Sequence, residues 1–334
     1  MILLRPILRI IQSPEALIPQ IEAYLTVIIG GMIATYFYNL FSGMLRAIGD
    51  TRAATFFLFI AVTVNAVVDY IFIGLLHLGI SGAAWATVLS QALSAVLCLV
   101  YLAKRDRDLL CTRYECHFEK SLVKRTLVFG FSSALHQSTL YIGKIFVQGA
   151  VNTLGTPGIA AYTATTRIEG FAISFGTSFG QATSVFVSQN MGAGNHRRVK
   201  NGLKNGMGIG VALGIIFSVL MYFTAAPGMN IFLDAGESAA IAYGVDYLRQ
   251  IALFYILCFT GNNFVGYFRG IGQVYVPLIA TTLHISIRVI LSYLLAPSMG
   301  LRAVAVATGV GWMAMTVYQV LTSRKLTRKM TEDQ

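Results

Sequence analysis

Asn65 and Asp69 lie four residues apart in the otherwise apolar stretch ATFFLFIAVTVNAVVDYIFIGLL, so on a helix both side chains share one face. A carboxylate and a carboxamide at that spacing supply oxygens to a bound cation, or form a proton site with a neutral neighbour. In a membrane span a carboxylate costs about 2.5–3.5 kcal/mol at the helix centre, so it normally faces the protein interior and serves an ion or a proton. The bland alternative is an Asp69 close enough to the end of its span to stay hydrated. Thr87, in GISGAAWAT, opens the following helix and is placed to turn its hydroxyl towards Asp69.

A second set of polar residues lies further on. Gln137, Lys144 and Gln148 fall roughly on one helical face, with His136 and Asn152 beside them, and the next apolar segment carries Arg167, Glu169 and Gln181. Lys144 and Glu169 come at comparable depth. Two readings stand: a buried ion pair, or groups that handle substrate or protons. His284 and Arg288 are one turn apart, and the histidine reads as a satisfied packing residue. Asp246 and Arg249 read as interfacial.

Other patterns carry little chemistry. Cys98, Cys111, Cys116 and Cys258 show no disulfide framework. Cys111, Cys116 and His117 lack a fourth metal ligand. Gly176-Thr-Ser-Phe-Gly180 matches GxSxG, but sits within a helix without a partnered histidine and reads as small-residue packing. Gly206, Gly210 and Gly214 form a similar stripe, and QNMGAGNHRR reads as a turn, not a phosphate loop. With no nucleophile and base, metal set or cofactor loop in context, an enzyme is the least supported class, and no cofactor is expected.

The elements that must position these groups are membrane helices. The chain has 334 residues, 56% hydrophobic and 12% charged, with a mean hydropathy of +0.68. Nine apolar stretches are long enough to cross a hydrocarbon layer of about 30 Å. They lie near 24–45, 53–74, 82–103, 126–151, 159–188, 205–226, 245–268, 274–296 and 303–323. The first three are repeated by the last three. Tyr24-Leu25 recurs as Tyr247-Leu248 and Arg46-Ala-Ile-Gly49 as Arg269-Gly-Ile-Gly272, 223 residues on; Ala86-Thr87 recurs as Ala307-Thr308, 221 residues on. Repeats of this length in an apolar chain point to a transporter built of related halves. Where the first copy has Asn65, Asp69 and Thr87, the second has Arg288, Ser292 and Thr308. An acid in one copy only favours a functional role for Asp69.

The net charge of +11 comes from Lys and Arg concentrated in alternate loops, around Arg46, 104–125, Arg197 to Lys204, Arg269 and the C-terminal segment. Those loops are expected in the cytoplasm, with the C-terminus inside. The pattern fits a lipid bilayer and excludes nucleic acid as partner. The expected organisation is a partial N-terminal lobe over 1–103, a charged cytoplasmic linker over 104–125 and a six-helix C-terminal lobe over 126–334, its repeat copy at 245–323. Nine spans with an inside C-terminus put Met1 outside, yet residues 1–23 offer no cleavable signal peptide. The expectation is therefore a twelve-helix parent whose first three helices this chain lacks.

RAIGDTR, the NxxxD followed by YIFI, LGISGAAWAT, VNTLG with IAAYTATTRIE, and SQNMGAGNHRR together resemble the multidrug and toxic compound extrusion (MATE) family, nearest its bacterial DNA-damage-inducible (DinF-like) branch. The resemblance spans essentially the whole chain. It implies an all-α, polytopic fold, twelve helices in two lobes, of which this chain holds about nine. It also implies export of organic, often cationic, small-molecule drugs and toxins across the bacterial inner membrane, in exchange for protons or sodium ions. The family's N-lobe cation ligands match Asn65, Asp69 and Thr87. The family's further Asp on the first helix has no counterpart here, and where other members place an acid in the seventh helix this chain has Gln137. Gln137, Lys144, Glu169, Gln181 and Arg288 are the candidates for cavity or coupling roles. A lipid-linked oligosaccharide flippase of the same superfamily, or a fragment that does not transport, are the alternatives.

Overall fold

The computed structural model describes residues 15–105, 110, 119–234 and 236–332. Their regular structure is helical throughout: α1 (Ile18–Ala47), α2 (Thr51–Asp69), α3 (Gly79–Arg105), α4 (Lys120–Asn152), α5 (Gly155–Gly192), α6 (His196–Phe232), α7 (Ser238–Ala252), α8 (Tyr255–Gly270), α9 (Tyr275–Met299) and α10 (Arg302–Glu332). A 3-10 turn, Glu15–Leu17, leads into α1, and a π-helical segment, Tyr70–Leu75, extends α2. Helices α7 and α8 form one rod bent by 56° at their junction. The described helices thus make nine rods, at the nine expected positions.

By length and composition, six of these rods are apolar enough to cross a membrane, and the bent α7–α8 pair makes a seventh. The other two, α4 and α5, have 33 and 38 residues, about 50 Å or more at 1.5 Å per residue. They are long enough, but His136, Gln137 and Lys144 in one and Arg167, Glu169 and Gln181 in the other lower their hydropathy. The polar side chains that make them candidates for function are the ones that weaken their apolar signal.

The turns on the basic side share one device. After α1, Asp50 N donates to Leu45 O at 2.9 Å and Gly49 N to Arg46 O at 3.1 Å; after α8, Gln273 N donates to Phe268 O at 2.8 Å and Gly272 N to Arg269 O at 3.0 Å. After α5, Asn195 N bonds Asn190 O at 2.8 Å and Gly194 N bonds Met191 O at 3.0 Å. Each is a Schellman cap closed by a left-handed glycine, with φ of 86°, 79° and 69° at Gly49, Gly272 and Gly194. Asp50 and Asn195 then cap the next helix by accepting from Ala53 N and Arg198 N. Asp50 also accepts from Tyr101 Oη at 2.9 Å and pairs with Arg105. The Ala53 amide, followed by Tyr101 and Arg105, holds its carboxyl below the usual carboxylate range.

The chain divides into two compact units, one through Phe118 and one from Glu119. In the first, α3 packs on both α1 and α2. Tyr38, Phe41, Leu45, Ala54, Phe57, Ala95, Cys98 and Leu102 form its core, gathered towards the basic end. In the second, α8 is the central element: Tyr255, Phe259, Asn263 and Phe268 are fully buried. Glycines let its neighbours approach. A Cβ at Gly180 of α5 would lie 2.7 Å from Asn262 O, one at Gly266 of α8 2.1 Å from Gly180 O, and one at Gly214 of α6 2.5 Å from Ile256 Cα. The GxSxG segment and the glycine stripe of α6 are therefore close-packing surfaces.

The repeat survives in packing as well as in turns. A Cβ at Gly31 of α1 would lie 2.1 Å from Val88 of α3, while in the second copy the glycine stands on the other side: a Cβ at Gly309 of α10 would lie 2.5 Å from the Phe254 ring. Phe254 matches Gly31, and Gly309 matches Val88, at the repeat offsets of 223 and 221. The large and small partners have exchanged places while the contact persists.

Candidate functional site

In the first unit Asn65 and Asp69 lie on one face of α2, partly buried. Asp69 is the last α-helical residue before the π-helical segment, where Leu76 N reaches back to Ile71 O at 2.9 Å. Single π turns of this kind recur at functional sites because they shift the register of side chains around the axis. Asp69 Oδ1 and Asn65 Nδ2 are buried without a hydrogen-bond partner among the described residues. The Thr87 hydroxyl donates to Ala83 O at 3.0 Å, one turn back on α3. A helical threonine has that carbonyl always within reach, and the bond leaves its lone pairs as acceptors. Gln91, one turn beyond Thr87, also has a buried, unpartnered oxygen, Oε1. Sequence reasoning passed over it, although its spacing from Thr87 repeats that of Asn65 and Asp69.

The second unit holds the other polar cluster. Glu169 of α5 is 5% exposed, and Tyr247 Oη of α7 donates to its Oε2 at 2.8 Å. Arg288 of α9 donates to Tyr162 Oη at 3.3 Å, and the Tyr162 and Tyr247 rings meet edge to face at 6.2 Å. The Tyr255 hydroxyl is buried without a hydrogen-bond partner among the described residues. Of the two readings, the Lys144–Glu169 ion pair does not form: Lys144 is exposed, with Nζ over the Tyr141 ring at 5.5 Å. The Tyr247 hydroxyl takes the place beside the carboxylate, and the flexible lysine turns onto its own helix. Gln137 and Gln181 are exposed.

Along α9, His284, Arg288 and Ser292 form an i, i+4, i+8 stripe, and His284 Nε2, Arg288 Nε and Ser292 Oγ are all buried without partners among the described residues. His284 packs against Trp312 at 6.0 Å, so it is buried as expected, but it is not satisfied. Arg288 and Ser292 are the repeat counterparts of Asn65 and Asp69, so both copies keep unpartnered polar atoms at the same two positions. His136 of α4 ties three helices together, with Nδ1 accepting from Arg269 of α8 at 3.2 Å and Nε2 facing Thr281 Oγ1 of α9 at 2.9 Å. Since arginine only donates, Nδ1 carries no proton and Nε2 is the donor. Asp246 pairs with Arg302 at 2.7 Å, both exposed, and Arg249 lies over the Tyr222 ring.

Among the described residues no three His, Cys, Asp or Glu side chains gather as metal ligands. Cys98 and Cys258 are buried free thiols. Cys111, Cys116 and His117 lie outside the described residues.

The MatE family model matches residues 1–71 and 132–294. A Bacillus subtilis (strain 168) protein named probable multidrug resistance protein YpnP is 33% identical over 259 residues, covering 78% of this chain and 57% of that protein. The probable multidrug resistance protein NorM of Thermotoga maritima is 25% identical over 277 residues, 79% of this chain and 57% of that one. This chain thus spans a little over half the length of either relative. Among solved structures, an outward-facing multidrug resistance MATE family transporter of the MOP superfamily superposes with a TM-score of 0.90 at 24% identity, covering 97% of this chain and 73% of that one. A MATE crystal structure in complex with MaL6 gives 0.91 at 24%, over 99% and 75%. At that identity the likeness concerns the fold.

Proposed function

The chain belongs to the MatE family of multi-pass membrane transporters, and on that premise we propose that it acts in cation-coupled export of organic, cationic or amphipathic compounds. Its place is the bacterial inner membrane, with the C-terminus in the cytoplasm. The observation that carries this reading is the Asp69 carboxylate, partly buried at the end of an apolar helix, one turn from Asn65, with one oxygen buried and without a partner among the described residues. A buried carboxylate left open in this way gains most from a cation or a proton. Binding that is tighter in one conformation than the other biases the transporter between states open to opposite membrane faces, so an ion gradient drives export.

Asn65, Asp69 and Thr87 hold the ion. Glu169 and Arg288 are held on either side of the Tyr162–Tyr247 ring contact, and Gln137, Lys144 and Gln181 stand exposed, available to substrate. Gradient-driven export of a cationic dye from membrane vesicles is the test. Asp69→Asn is expected to abolish it while leaving expression intact; undiminished export by that variant overturns the assignment.

A further inference from the structure

Thr316 Oγ1, Gln319 Oε1 and Gln319 Nε2 of α10 are buried without a hydrogen-bond partner among the described residues. Gln319 is fully enclosed, at 0% exposure. Thr308 and Thr322 of the same helix give their protons to Val304 O and Tyr318 O, one turn back, at 2.7 and 2.8 Å. Thr316 makes no such bond, so its hydroxyl is aimed away from its own backbone.

One point locates both side chains. A Cβ placed on Gly261 of α8 would lie 3.7 Å from Thr316 Oγ1 and 3.8 Å from Gln319 Oε1, with the Met315 methyl covering it at 2.5 Å. At Gly266 of the same helix, by contrast, backbone meets backbone: a Cβ there would lie 2.1 Å from Gly180 O. Beside Gly261, α8 faces polar atoms and one flexible thioether end.

The repeat shows what this contact replaces. At offsets of 223 and 221, Gly261 answers to Tyr38, Thr316 to Ala95 and Gln319 to Cys98. In the first unit Tyr38, Ala95 and Cys98 belong to one buried apolar cluster. The second unit has exchanged the tyrosine ring for a glycine and, at the same contact, gained a hydroxyl and a carboxamide. Room and polarity arrive together. A bare carboxamide at a dry contact is costly, and leucine would fill the position of Gln319 without that cost.

We propose that α8 and α10 hold an internal water beside Gly261, bound by Gln319 and Thr316. Buried waters make about three hydrogen bonds each, to polar groups otherwise unsatisfied. The carboxamide offers Oε1 as acceptor and Nε2 as donor, and the Thr316 hydroxyl does both. That set matches a molecule that itself donates and accepts; a cation would leave the Nε2 protons bare, and an anion would leave Oε1. The water satisfies α10 without a direct hydrogen bond to α8. This site stands apart from Asp69 and does not depend on the export reading.

X-ray radiolytic footprinting of the purified full chain in detergent tests this, because the beam creates hydroxyl radicals from a held water where it sits. The Met315 methyl lies against the site, and Met221, equally buried at 6% exposure, is the internal standard. Sulfoxide, read by mass spectrometry, is expected to form at Met315 at least about tenfold faster than at Met221. Equal rates in the wild type overturn the proposal. Chloramine-T, an oxidant confined to bulk solvent, is expected to spare both; rapid attack on Met315 means that open solvent reaches it, which overturns a held water. Thr316→Val with Gln319→Leu is expected to bring Met315 down to the Met221 rate, with a melting curve showing that the variant is folded. Rapid radiolytic oxidation that persists in the folded variant overturns the assignment to these two side chains. The wild-type comparison decides the matter even if the variant does not fold.

Discussion

Replacing Arg288 with methionine leaves Glu169 of α5 almost fully enclosed with one neutral hydrogen bond, from Tyr247 at 2.8 Å. Lys144, directed at Tyr141, does not take over. Arg288 makes no direct ion pair with Glu169 but donates to Tyr162 Oη and is the cation that most attracts the carboxylate; losing a charged hydrogen-bond donor costs about 1.5–3 kcal/mol, and with that attraction lost too the upper end, about 3 kcal/mol, is expected. At about 2–4 °C per kcal/mol for a body of this size, the melting midpoint in detergent falls by about 6–12 °C. Glu169→Gln retains an acceptor for Tyr247 and removes the charge, so alone it costs only about 1 kcal/mol. The double variant, with neither charge, recovers most of the loss, a coupling of at least about 2 kcal/mol in a double-mutant cycle. A single Arg288→Met variant that melts within about 2 °C of wild type, or a double variant whose loss is the sum of the singles, refutes the coupling of the two charges.

Acid sensitivity is expected at the first basic-side turn. The Asp50 carboxyl is held below its unfolded value by the Ala53 amide, Tyr101 and Arg105, so it adds stability above the unfolded value, near 4, and that stability is lost as pH falls through the lower folded value. Asp50→Asn keeps a capping oxygen but removes the charge; its melting curves are expected to change less than those of the wild type between about pH 6 and 3. In the second unit, Gly309→Leu forces a side chain into the Phe254 ring, an overpacking cost of about 1–3 kcal/mol. Adding Phe254→Gly recreates the arrangement of Gly31 and Val88 and is expected to restore part of the folded, monodisperse fraction in size-exclusion chromatography. A double variant no better than Gly309→Leu alone counts against the exchanged contact.

Much of this protein is legible in the amino-acid sequence. Apolar length marks the nine rods because a helix crossing lipid must satisfy its own backbone. The turn after α1 and its copy after α8 follow from a glycine at the left-handed position and a local pattern of bonds, so the repeat of Arg46–Gly49 at Arg269–Gly272 predicted them. Asn65 and Asp69 were evident from spacing alone, because four residues are one turn of any helix. What the tertiary structure decided depends on which helix faces meet. Glu169 takes Tyr247, from α7, over Lys144; Gln91 keeps a buried oxygen without a partner among the described residues; and Gly31 and Gly309 accept Val88 and Phe254 from opposite sides of one repeated contact. Those outcomes join residues many turns apart, and rotating a helix by a fraction of a turn would exchange the partners while leaving its own apolar pattern and caps unchanged.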